Sequence, residues 1–60
     1  MSYEEFRQRV ALYLNMQGMT APAATACVHE HNDMILWAYK RAHVARDVAA
    51  ALIAILENNL

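Results

Sequence analysis

The stretch VARDVAAALIAIL, residues 44–56, constrains this chain more than any other part of it. Wound as a helix, it carries apolar side chains around nearly the whole circumference, so one small neighbour cannot cover it. The chain has 60 residues, and at that size folding hides only about 60% of the surface exposed by the unfolded state. Twelve residues are alanines, which bury little area each, so the apolar fraction of 58% overstates the core. A single core in so small a domain rarely contributes more than about 3–5 kcal/mol, and disulfides, a structural metal or oligomerisation are the usual supplements.

Two of those supplements find little support in the residues. One cysteine, Cys27, cannot close an intrachain disulfide, and there is no CxxC pair to hold zinc. Sitting in an apolar run, Cys27 reads as a small buried hydrophobe in a reducing compartment. No charged segment followed by an apolar one opens the chain, and no charge-free run approaches the ~20 residues of a membrane span. The expectation is a cytoplasmic protein that does not engage a membrane. A formal net charge of −1 gives the whole molecule no attraction to nucleic acid.

The first helix is well marked. Ser2 and Glu5 have the spacing of a capping box, Met1 and Phe6 that of a hydrophobic staple, and Glu4 and Glu5 put negative charge at the positive helix end. Tyr3, Phe6, Val10, Tyr13 and Leu14 recur every three or four residues and form one apolar face. Glu5 and Arg9 have the i,i+4 spacing of an ion pair. The only glycine, Gly18, suits the left-handed position after the helix, with Met19 folding back onto Leu14 in a Schellman motif. A helix over residues 3–17 follows.

Thr20-Ala21-Pro22 signals the next start, with Thr20 or Ala21 as the cap. No glycine or proline follows Pro22, and the spacing predicts one long helix from Pro22 to about Glu57. Two places invite a break: His29-Glu30-His31-Asn32-Asp33, where Asn32 or Asp33 can cap a fresh start, and Ala42-His43. Ile35, Ala38, Ala42, Ala45, Ala49, Leu52 and Leu56 hold one seam in heptad spacing across Ala42-His43. Trp37, Arg41, Val44, Val48, Ala51 and Ile55 make a second, adjacent seam. An unbroken second helix exceeds about 50 Å against roughly 22 Å for the first, so a hairpin leaves half of it bare. The fold expected is therefore an all-α helical hairpin, a single domain over residues 1–60, dimerising into a helical bundle. The dimer interface expected is Ala45, Val48, Ala49, Leu52, Ile53, Ile55 and Leu56.

Chemistry-bearing constellations are sparse. On a continuous helix His29 and Asp33 lie at i,i+4, but two ligands do not make a metal site, and His31 projects about 200° away from His29. No metal or cofactor is expected. No nucleophile, base and orienting group come together, and one glycine cannot build a phosphate-cradling loop, so an enzyme is not expected. Trp37, Tyr39, Arg41 and Arg46 are the residue types that carry binding energy at protein interfaces, and they form the expected partner-binding set. The function expected is a protein–protein interaction module, a homodimeric accessory or inhibitory regulator of another protein. The alternative is a small dimeric nucleic-acid-binding regulator using the Lys40, Arg41 and Arg46 strip, supplemented by Arg7 and Arg9.

Overall fold

Ser2 opens the first helix through the chemistry its spacing implies. Its hydroxyl accepts the Glu5 amide at 3.1 Å and donates to the Glu5 carboxylate at 3.2 Å. Helix α1 runs from Tyr3 to Met16 and closes on Gly18, whose φ of +109° is a conformation that a side chain disfavours. The Gly18 amide donates to the Asn15 carbonyl at 3.0 Å and the Met19 amide to that of Leu14 at 3.2 Å, the paired bonds of a Schellman motif. Met19 is half-buried against the core. Met1 is largely exposed while Phe6 is buried, so the outer half of the expected staple adds little cover.

The computed structural model describes residues 1–58, which are all-helical: α2 spans Ala21–Glu30, α3 Asn32–Lys40 and α4 Ala45–Asn58. The single long helix predicted from Pro22 to Glu57 is thus corrected to three, broken at both of the places the sequence made weak. Thr20 caps α2, its side chain accepting the Ala23 amide at 3.2 Å. The first break is a single residue, His31, with φ −106° and ψ 27°. Its Nδ1 lies 2.9 Å from the Cys27 carbonyl, and because a carbonyl only accepts, Nδ1 carries the hydrogen. Neither Asn32 nor Asp33 caps α3 with its side chain. The Asn32 side-chain oxygen instead accepts the Tyr3 hydroxyl at 2.6 Å, which ties the start of α3 to the start of α1.

The second break is a complete Schellman motif built without glycine. Arg41 ends α3, the Ala42 amide donates to the Tyr39 carbonyl at 3.1 Å, and the His43 amide donates to that of Ala38 at 3.0 Å. Ala42 therefore sits at φ +58°, left-handed backbone that a residue with a Cβ adopts at a cost of about 1–2 kcal/mol. This turn redirects the chain so that α4 packs against α1, and the longest dimension of the molecule, 30 Å, is too short for an unbroken second helix.

The turn at residues 41–44 changes what covers the apolar seam. Helix α1 packs against α4, α2 and α3. Ile35, Ala38, Ala45, Val48, Ala49 and Leu52 join Phe6, Val10 and Leu14 in one buried cluster. Four of the residues expected at a dimer interface, Ala45, Val48, Ala49 and Leu52, are thereby occupied within a single chain. The expectation assumed a long helix beyond the reach of α1, and the turn at Ala42 removes that condition. Of the same set, Ile53 and Leu56 are half-buried and Ile55 is 37% exposed.

Candidate functional site

The residues singled out for partner binding separate into three environments. Tyr39 is half-buried and packs against α1. Its ring lies 5.3 Å from those of Tyr3 and Phe6, tilted at 55° and 57°, and its hydroxyl donates to the Met1 carbonyl at 2.7 Å. Those contacts dock α3 onto the N-terminal half of α1, and such tilted aromatic pairs contribute about 0.5–1.5 kcal/mol each beyond the area they bury.

Trp37 and Arg41 form an exposed unit. The Arg41 guanidinium lies over the indole, 4.1 Å from the ring centroid, and donates to the Trp37 carbonyl at 3.2 Å. The His43 ring approaches the same indole edge-on at 5.5 Å. Helical geometry supplies the first contact, because residues four apart share a face, and the turn at Ala42 supplies the second by folding His43 back. Trp37 is held between two side chains yet remains 50% exposed, so its rotamer is ordered before any partner arrives.

Arg46 lies elsewhere, with Lys40 and Arg9, around a groove of about 790 Å³ between α1 and the turn that joins α3 to α4. Phe6, Tyr13 and Tyr39 contribute to its wall, and no acidic side chain lines it. Arg9 was expected to pair with Glu5, and it does not. Glu5 is engaged by the Ser2 hydroxyl, and the one ion pair among the described residues joins Arg7 to Glu4 at 4.0 Å. That competition was legible in the sequence, since the capping box and the i,i+4 pair call on the same carboxylate.

A second groove, of about 840 Å³ between α1 and α2, is walled by short side chains such as Ala11, Ala21, Pro22 and Ala26. Its cation, Arg7, is already committed to Glu4 and lies 5.9 Å from the Tyr3 ring centroid. His29 and Asp33 fall in different helices on either side of His31, so the i,i+4 relation that brought them together is lost. Among the described residues no three His, Cys, Asp or Glu side chains gather closely enough to hold a metal ion. Cys27 lies 3.9 Å from the His31 Nδ1, but burial, reinforced by the negative charge of Glu30, pushes its thiol pKa above the ordinary value. A raised pKa disfavours the thiolate that nucleophilic chemistry requires.

These features define a small all-α domain whose distinctive surface lies at the turn between α3 and α4. No protein-family model matches the chain, and comparison with curated proteins and with solved structures returned no match. No helix among the described residues is long and apolar enough to cross a membrane.

Proposed function

We propose that the chain is a protein–protein interaction module that acts by occupying a surface of another protein, as an accessory or inhibitory factor. The observation that carries this reading is the exposed Trp37 clamped between Arg41 and His43. An ordered half-exposed tryptophan beside an arginine is the residue pattern that dominates binding energy at protein interfaces. A second copy of the chain is not needed to complete the core, because α1 already covers the buried face of α4.

The test compares the wild-type chain with Trp37→Ala, each immobilised and exposed to native lysate of the cell that makes it. A defined protein retained by the wild type and lost with the variant, at unchanged helical circular dichroism, supports the proposal. Equal retention by both, or recovery of nothing but the chain itself, sinks it.

A further inference from the structure

The groove that holds Arg46 has a composition that selects its occupant. Arg9 comes from α1, Lys40 from the end of α3 and Arg46 from the start of α4, so three elements bring their cations to one concavity. None of the three has a carboxylate within ion-pair distance among the described residues. The uncompensated charge is local, because the chain as a whole carries a formal −1. Val44 stands where an N-cap belongs but has no side-chain acceptor, and Asp47 in the first turn of α4 offsets the positive end of that helix dipole, so the charge of the groove rests on the three side chains.

The rim is not only cationic. Met1 and Val44 line the same groove and are 64% and 57% exposed, an apolar lip beside the charges. An inorganic anion satisfies the cations and leaves that lip bare. A long polyanion satisfies them too and likewise leaves the apolar lip bare. A short peptide with carboxylates flanking one or two large apolar side chains matches both parts. The volume, about 790 Å³, lies within the ~300–1,000 Å³ range of ligand pockets and admits a few such side chains.

We infer that the groove between α1 and the α3–α4 turn is a docking site for an acidic amphipathic segment of a partner protein. Arg9, Lys40 and Arg46 face its carboxylates, while Met1 and Val44 receive its apolar side chain. The inference rests on the reading of the chain as an interaction module and deepens it. His43 both lines the groove and stacks on Trp37, so the docking site and the Trp37 platform form one continuous surface.

The experiment pans a phage-displayed library of random peptides against the full-length chain, then measures selected peptides by fluorescence anisotropy at low ionic strength. Enriched sequences are expected to pair Asp or Glu with Leu, Ile, Met or Phe. The double variant Lys40→Glu/Arg46→Glu, both positions being exposed, is expected to weaken them about tenfold or more, equivalent to ~1.4 kcal/mol. Circular dichroism confirms that the double variant folds. Peptides with no acidic bias, peptides indifferent to the charge reversal, or no enrichment at all overturn the inference. So does a short single-stranded oligonucleotide that binds more tightly than the peptides at the same ionic strength. Peptides lost with Trp37→Ala but untouched by the charge reversal refute the groove alone and leave the interaction-module reading standing.

Discussion

Replacing Ala42 with glycine should make this protein more stable, which is the reverse of what a helix-rich sequence leads one to expect. Ala42 occupies the left-handed position of the turn between α3 and α4 at φ +58°, and its side chain is exposed, so its methyl group contributes little packing. Holding a Cβ-bearing residue there costs about 1–2 kcal/mol, and glycine removes that cost. Glycine also gives the unfolded chain more freedom, which takes back about 0.4–1 kcal/mol. The net expectation is a stabilisation of about 0.5–1 kcal/mol. In a domain of this size, 1 kcal/mol moves the melting temperature by about 4–8 °C, so Ala42→Gly should raise it by roughly 2–8 °C. Thermal unfolding followed by circular dichroism at 222 nm, the wavelength at which helices are usually followed, reads the difference. An unchanged or lowered melting temperature refutes the turn geometry. It means either that residue 42 is not left-handed or that the helix runs through, where glycine costs about 1 kcal/mol relative to alanine.

Gly18→Ala is the converse experiment. Nothing lies within 4 Å of an added methyl group, so the φ of +109° alone should cost about 1–2 kcal/mol, seen as a lowered melting temperature. Leu52→Ala, at a position with 0% exposure, should cost about 3 kcal/mol and leave the chain largely unfolded, whereas Ile55→Ala should cost less than about 1.5 kcal/mol. Urea titration separates the two, and equal losses contradict the placement of α4. Burial raises the thiol pKa of Cys27 from 9.0 and the Tyr3 pKa from 10.0, the latter against the opposing pull of Arg7. A neutral group whose folded pKa is raised leaves stability intact below its unfolded pKa and drains it as pH rises further. The melting temperature should therefore fall above about pH 9, and Cys27→Ala should blunt the first part of the fall; an identical pH profile in the variant argues against a buried thiol.

The features that could be read before the structure are those written in side-chain chemistry at fixed spacing. Ser2 and Glu5, Thr20 ahead of Pro22, and Gly18 each mark a helix end through a hydrogen bond or a backbone angle that few other residues supply. The seam residues Ile35, Ala38, Ala45, Ala49 and Leu52 were also legible as buried, because periodicity reports which face of a helix is apolar. It does not report what covers that face. A second copy and α1 satisfy the same pattern, and the choice turned on Ala42-His43, legible as a place to break but not as a left-handed turn, because an alanine there does the work of a glycine. Tyr39 shows a related limit: its proximity in sequence to Trp37 and Arg41 did not reveal that its ring packs against Tyr3 and Phe6 from α1 while also lining the groove. The groove cations were visible as residue types only. Their convergence from three helices depends on the docking of α4 against α1, which no local spacing encodes.

That docking, with α1 shielding the apolar face of α4 inside one chain, is the claim on which the rest depends. Sedimentation equilibrium combined with thermal melts over a hundredfold range of protein concentration, roughly the span over which mass action becomes plain, tests it directly. The expected result is a folded species with the mass of one chain and a melting temperature independent of concentration. A chain that is folded only as a dimer, with a melting temperature that climbs as concentration rises, contradicts it.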